Sequence, residues 1–248
     1  MLRTALLLGG VLLLNLPGSA ADQPQPPTLP RVISPGQNTR PPADAIVLFD
    51  GTDLAAWRHL DGRPAEWDLA DGAMTVRPGA GGIVTTAEFA DVQLHIEFCT
   101  PESDHDTGQG RGNSGVYLQG RYEVQVLDSY RNDTYPDGQC AAVYGQYPPL
   151  VNASRPPGQW QTYDIIFHPP AFDETGRRTR LGTITVFHNG VLVQDHVTIR
   201  GSTTASPIKE QPGDGPLYLQ DHGDLVRYRN IWLRPIPATP PAAGQVYD

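Results

Sequence analysis

Cysteine is nearly absent from this 248-residue chain, which carries two, Cys99 and Cys140. That count excludes a disulfide scaffold, in which a small fold is stapled by several bridges. Cys99 ends a strand-like segment and Cys140 sits in a Gly-rich stretch, and nothing in the pattern brings the two together. Positive charge is also scarce: 18 basic residues against 27 acidic give a net charge of −9. No basic stripe runs through the chain, so a nucleic-acid partner is disfavoured. HExxH, CxxC and GxSxG do not occur, so zincin chemistry and the serine-hydrolase elbow have no support. Helix signals are nearly missing as well.

The two ends do have a pattern. "MLRTALLLGGVLLLNLPGSAA" places Arg3 before an apolar run from Ala5 to Leu16, followed by the small residues Gly18 to Ala21. This is the layout of a secretory signal peptide over residues 1–21. The run stops at Pro17-Gly18, short of the ~20 apolar residues a spanning helix needs. No cysteine stands near the cleavage point to carry a lipid. The expectation is a secreted or periplasmic protein with no membrane span once the signal is cleaved. Residues 22–44 are rich in Pro and Gln and read as a disordered linker, and residues 237–248 read as a tail of the same kind. Residues 45–236 remain as one domain, with no internal repeat.

That domain is full of strand signals. "EWDLADGAMTVRP" alternates around Asp71-Gly72, and "TITVFHNGVLVQDHVTI" alternates around Asn189-Gly190; both pairs suit the positive φ of a tight hairpin turn. In "DVQLHIEFCT" Val92, Leu94, Ile96 and Phe98 share one face. "GVYLQGRYEVQVLDS" reads as two strands joined near Gly120. In "VRYRNIWLRPI" the parity changes between Tyr228 and Ile231, which places a bulge at Arg229-Asn230. About a dozen such strands specify an all-β fold, a jelly-roll sandwich of two antiparallel sheets. A curved sandwich leaves one sheet face concave and wet.

The strand "YEVQVLDS" turns Tyr122, Val124 and Val126 to the core and Glu123 and Gln125 to the other face. Asp128 then falls on the apolar parity. A bulge near Val126-Leu127 would return it to Glu123, giving an acid, an amide and an acid at i, i+2 and i+5. This spacing resembles the E-x-D-x-x-E strand of jelly-roll glucanases, with Gln125 at the middle acid. Two carboxylates ~5–5.5 Å apart would support retaining glycoside hydrolysis. The plain alternative is a solvated face ending in an Asp turn cap. A second cluster, "LQDHG", sets Gln220, Asp221 and His222 at a strand end, and histidine is suited to moving protons near neutral pH. The chain has seven histidines, so a single one carries little weight. A third set, Tyr117, Tyr130, Tyr144, Tyr147, Trp160, Arg227 and Arg229, offers aromatic faces and planar guanidiniums suited to sugars, or to ordinary packing. Asp104, His105 and Asp106 form a loop of metal-ligand residue types.

Six segments in collinear order carry a resemblance: "VLFDGTDLAAWRH" at 47–59, "NSGVYLQGRYEVQVLDSY" at 113–130, "GQCAAVYGQYPP" at 139–149, "PPGQWQTYDIIF" at 156–167, "VFHNGVLVQDHV" at 186–197 and "GPLYLQDHGDLVRYRNIWLRPI" at 215–236. Together they resemble the 3-keto-disaccharide hydrolase domain family. The resemblance implies a concanavalin A-like sandwich, a carbohydrate substrate and cleavage of glycosides whose C3 has been oxidised to a ketone. A ketone at C3 acidifies the C2 hydrogen, so a base at C2, a donor at the ketone oxygen and an acid at the leaving oxygen would suffice. On this view Glu123, Asp128 and His222 are the catalytic candidates. Gln125, Tyr144, Gln220, Arg227 and Asn113 would hold the sugar. A divalent metal ion could stabilise the enediolate, with ligands the sequence does not assign. An ordinary retaining glycosidase and a non-catalytic carbohydrate-binding module stay open as alternatives.

Overall fold

The computed structural model describes residues 29–37, 40–102 and 107–237. The expected signal peptide and the tail beyond Pro237 lie outside the described residues, as do Asp104, His105 and Asp106. The strands are β1 (Ile46–Phe49), β2 (Trp57–His59), β3 (Asp68–Ala70), β4 (Ala73–Thr75), β5 (Ile83–Thr85), β6 (Val92–Cys99), β7 (Ser114–Leu118) and β8 (Tyr122–Val126). They continue with β9 (Gln161–His168), β10 (Ala171–Phe172), β11 (Arg178–Arg180), β12 (Thr183–His188), β13 (Val191–Thr198), β14 (Tyr218–Leu219) and β15 (Arg227–Pro235). Helical structure among the described residues is limited to two short 3-10 turns, Gly108–Gly110 and Pro136–Gly138.

Two antiparallel sheets face one another. The larger runs β13-β12-β9-β6-β15-β4-β3 with β1 also on β15, and the smaller runs β2-β5-β14-β7-β8. The order is non-sequential in both, as a jelly-roll sandwich requires. The core between them takes the apolar face of each strand: Leu94, Ile96 and Phe98 from β6, Tyr163, Ile165 and Phe167 from β9, and Tyr122, Val124 and Val126 from β8. The hairpin turns use the expected pairs, with Asp71, Gly72, Asn189 and Gly190 all at positive φ. Gln119 and Gly120 form a third such turn, and it sets Leu118 opposite Tyr122 and Tyr117 opposite Glu123. The bulge expected in the last strand is present: Asn230 has φ 47 and the β15–β6 register slips between Arg229 and Trp232. It lets β15 pair with β4 before the bulge and with β1 after it.

One expectation is corrected here. The expected linker of residues 22–44 is tied down in its last part, at Ser34, Ala43 and Asp44. The Ala43 N–H donates to Ser34 O at 3.0 Å. The Asp44 carboxylate takes Nε and Nη2 of Arg234 at 2.7 and 2.8 Å. A bidentate pair of that kind anchors the entering chain to the last strand. The run Gly110-Arg111-Gly112-Asn113-Ser114-Gly115 has G-x-G-x-x-G spacing, but it leads from a 3-10 turn into β7, whereas a phosphate cradle leads from a strand into a helix.

Two tyrosines of the larger sheet reach across the core to the smaller one. Tyr163 on β9 donates to the Gln125 carbonyl on β8 at 2.6 Å, and its oxygen lies 2.9 Å from the Cys140 thiol. Tyr228 on β15 donates to Ser114 Oγ on β7 at 2.7 Å, and Ser114 Oγ donates onward to the Gln220 carbonyl at 2.6 Å. Both rings are fully buried. Cys99, buried elsewhere, accepts from Arg227, so the two thiols stay separate. Removing a hydroxyl from such a site without changing its shape costs roughly 1–2 kcal/mol. Tyr163→Phe and Tyr228→Phe are each expected to lower the urea midpoint accordingly at an unchanged m-value. Midpoints equal to the parent's would show that the bridges add nothing.

Candidate active site

Alternation along β8 leaves Glu123 and Gln125 on the face of the smaller sheet away from the core, and the register of the sheet assembles their neighbours. Across the strands, Glu123 stands opposite Tyr117, Tyr117 opposite Tyr218, and Tyr218 opposite Val84. One row further, Gln125 stands opposite Gly115, whose carbonyl accepts from the Gln220 N–H at 3.0 Å. This face is not the open groove that a wet concave sheet suggests. Glu123 is 3% exposed and Gln125 1%. Loops fold over both, and Asn113, Tyr117, Glu123, Gln125, Tyr144, Thr204, Ala205, Gln220 and His222 line what remains. The cleft is narrow, with room for about 80 Å³, below the ~300–1,000 Å³ of typical small-molecule sites.

Each wall has a local cause. The strip 141–147 runs beside β8, with the Gln125 N–H donating to Ala142 O and the Tyr144 N–H to Glu123 O. That strip carries Tyr144, whose hydroxyl is hydrogen-bonded to that of Tyr135. The loop bearing Thr204 and Ala205 is pinned at Thr203, whose Oγ1 accepts the Glu123 N–H at 3.0 Å. Ala205 holds φ 58. In "LQDHG", the Asp221 carboxylate accepts the N–H groups of Gly79 and Gly81 at 2.8 and 2.9 Å, which fixes the segment and leaves His222 exposed at the cleft mouth. Asn113 is buried, its N–H held by Asp224 at 2.7 Å and its side-chain amide donating to Gln109 O at 2.7 Å.

Glu123 dominates the chemistry. Among the described residues, no Lys or Arg lines the cleft beside it. Burial pushes its carboxyl up to about 8, opposed only in part by a hydrogen bond from Tyr117. Gly115 makes room for it: a Cβ there would stand 2.5 Å from Glu123 Oε1 and 2.6 Å from the Tyr117 ring. Gln125 donates to Gln109 Oε1 at 3.0 Å and Gln220 donates to Tyr117 Oη at 3.1 Å. The carbonyl oxygens of both side chains are buried with no partner among the described residues. Two orphan acceptors beside a buried carboxyl suit a ligand that brings hydroxyl donors.

Sequence reasoning brought Glu123, Gln125, Asn113, Tyr144, Gln220 and His222 to one place, and the structure assembles them there. It does not bring Asp128 or Arg227. The β7–β8 register runs without a slip to Val126, so no bulge re-aims Asp128. The strand simply ends, the Ser129 N–H closes a tight turn on Leu127 O, and Leu127 joins the core. The fully buried Asp128 carboxylate faces Arg111 Nε at 2.6 Å. Burial raises its pKa, while the Tyr130 N–H and Arg111 oppose the rise. Arg227 lies on the larger sheet. Tyr228 beside it points into the core, so Arg227 faces the far side, over the Trp160 ring with Arg229. The third cluster therefore splits: Tyr147 takes Arg200, Tyr130 takes Arg131, and only Tyr117 and Tyr144 reach the cleft. Sequence reasoning missed the Thr204–Ala205 wall, which has no strand pattern, and the part played by Tyr117. The hairpin turn at Gln119-Gly120 could have revealed the latter, because it fixes 117 opposite 123. As metal ligands the cleft offers Glu123 and His222, and among the described residues no group of three or more His, Cys, Asp or Glu converges. These side chains do not form a cation cage.

The raised Glu123 pKa has a consequence for stability. The folded protein holds this proton more tightly than the unfolded chain, whose value is near 4.5. The stability from that difference is complete below about pH 4.5 and is lost as pH rises through about 8. Glu123→Gln lacks this dependence. Its urea midpoint should therefore gain on the parent's as pH rises from about 5 to about 9. A difference that stays constant over that range would contradict a buried, uncompensated carboxyl.

Comparison with known proteins agrees with the fold and the segments above. The family model for the 3-keto-α-glucoside-1,2-lyase-like domain matches residues 44–234. A 3-keto-disaccharide hydrolase of Bacteroides thetaiotaomicron is 25% identical over 235 residues, covering 78% of this chain and 80% of that protein. The crystal structure of a candidate glycosyl hydrolase from Parabacteroides distasonis superposes with a TM-score of 0.80 at 45% identity, over 85% of this chain and 93% of the other. A second such structure from the same organism shares the fold at a TM-score of 0.58 and 19% identity, over 78% and 94% of the two chains. The chain belongs to the 3-keto-α-glucoside-1,2-lyase-like domain family.

Proposed function

We propose that this protein hydrolyses the glycosidic bond of 3-keto-glycosides, 3-keto-disaccharides among them, with Glu123 as the group that takes the C2 proton. The observation that carries this reading is the buried carboxyl of Glu123, with no Lys or Arg among the described residues of its cleft and flanked by the orphan acceptors of Gln125 and Gln220. Family membership and the hydrolase among the relatives support the substrate class. A carboxylate deprived of water is a stronger base than a solvated one, as removal of a hydrogen next to a ketone requires. One carboxylate in the cleft, with Asp128 committed to Arg111, argues against the paired acids of a retaining glycosidase.

The steps balance as follows. Glu123 takes the C2 proton, and the electron pair moves toward the C3 ketone oxygen to form an enediolate. Asn113 and Tyr144 supply donors for that oxygen. The enediolate re-forms the ketone and expels the oxygen at C1, which takes a proton from His222 at the mouth. Water then adds at C1 of the resulting enone and gives one proton back to His222, while C2 takes a proton from the Glu123 carboxyl after that carboxyl has exchanged with solvent. The net change is hydrolysis, with Gln125 and Gln220 accepting from ring hydroxyls throughout.

Glu123→Gln should lower turnover of a 3-keto-disaccharide roughly 10²–10⁴-fold while binding persists. For the parent acting on a 3-keto glycoside whose leaving group needs no acid, kcat/KM should rise with pH to a plateau with its midpoint near 8, because the base form is required. In deuterated water the keto-sugar product should carry deuterium at C2. Product without label, or a fully active Glu123→Gln enzyme, would overturn the reading. His222→Ala should impair disaccharides far more than a 3-keto 4-nitrophenyl glucoside, whose leaving group needs no acid. Equal losses on both substrates would remove His222 from the mechanism. The Arg3–Ala21 pattern supports an enzyme that works outside the cytoplasm, so protein recovered from the periplasm or medium should begin at Ala21 or Asp22. An intact Met1 on such protein would reject export by signal cleavage.

A further inference from the structure

Tyr117 takes no part in these steps, yet it lines the cleft between Glu123 and Gln220. The ring is fully buried and packs edge-on against Tyr218, with centroids 5.2 Å apart. A phenylalanine would fill that space equally well, and a buried hydroxyl is costly unless it is bonded. This one holds a bond from Gln220, and donor accounting gives that bond a direction and leaves the phenolic proton to be placed. Gln220 Nε2 is a donor only, so Tyr117 accepts from it at 3.1 Å. The single phenolic proton is then free for the Glu123 carboxyl, which stands directly opposite in the β7–β8 register and shares the space over Gly115 with the ring. Burial also keeps the phenol protonated, so it remains a donor. On the floor beneath, Gly115 is the residue that lets ring and carboxyl meet.

We propose that Gln220 and Tyr117 form a one-way hydrogen-bond relay that positions the Glu123 carboxylate and sets the pH at which it works as a base. Tyr117 is then a positioning residue, and Gln220 orients it. The inference rests on the role given to Glu123 above. Its sign is fixed: a donor to the carboxylate favours the ionised form, so its loss must move ionisation to higher pH.

The test is Tyr117→Phe with two readouts. The first is titration of the Glu123 carboxyl by ¹³C NMR in labelled protein without substrate, assigned by difference from Glu123→Gln. The second is the pH profile of kcat/KM on a 3-keto 4-nitrophenyl glucoside, whose leaving group needs no acid. Loss of one hydrogen bond to a charged group should move both midpoints up by roughly 1–2 pH units. On the rising limb kcat/KM should then fall roughly 10–100-fold, with most of the high-pH plateau kept. Gln220→Leu should move the carboxyl titration in the same direction by less. Should Tyr117→Phe fail to fold, 3-fluorotyrosine at position 117 carries the test. Its phenol is a stronger donor and should move the titration down. A titration that stays in place in whichever variant folds would overturn the relay. A fully active Glu123→Gln enzyme would instead defeat the reading of Glu123, while the titration still judged the relay by itself.

Discussion

The cleft depends on hydroxyl groups that cross the hydrophobic core. Tyr163 and Tyr228 grow from the larger sheet and bond the backbone of β8 and the Ser114 side chain of β7, directly behind Gln125 and Gln220. A sandwich held by apolar contact alone would let its two sheets slide, because the hydrophobic effect has no direction. A hydrogen bond buried in a low-dielectric core does have direction, and breaking it leaves a polar atom unmatched. The larger sheet therefore acts as a brace for the smaller one. Functional groups carried on rigid, braced strands hold their geometry better than groups on loops.

On that braced surface the sheet register does most of the assembly. The Gln119-Gly120 turn sets 117 against 123 and 115 against 125, and β14 extends the rows to Tyr218 and Gln220. A glycine under Glu123 and tyrosines beside it give the carboxyl room and dryness together. The loops that close the cleft are attached to the same strands, through Thr203 on one side and the strip at 141–147 on the other. An uncompensated carboxyl is a cost to folding above neutral pH, and proteins tolerate such costs chiefly at functional sites.

Much of this was legible in the sequence. Alternation gave the strands and the face of Glu123 and Gln125, and Asp-Gly and Asn-Gly gave the turns. The parity change in β15 gave the bulge at Arg229-Asn230. Asp128 misled because a break in alternation has two causes, a bulge or the end of a strand. Here the strand ends and the acid is neutralised by Arg111, seventeen positions upstream, a pairing no local pattern encodes. Arg227 was placed by its chemistry, although the core parity of Tyr228 already turns it away from the smaller sheet. The wall at Thr204–Ala205 was invisible because coil has no period. The anchoring of Ser34, Ala43 and Asp44 was hidden by the composition around them, which says nothing of the Asp44–Arg234 pair.

The account centres on one carboxyl acting at one carbon. A crystal structure of Glu123→Gln with an uncleaved 3-keto-disaccharide examines that directly. The oxidised ring should lie in the cleft with the C2 hydrogen facing the residue-123 amide at contact distance, ~3–3.5 Å between heavy atoms. Its hydroxyls should donate to the side-chain oxygens of Gln125 and Gln220. A sugar bound with C1 and not C2 toward residue 123, or one bound on the Trp160 face of the larger sheet, would contradict it.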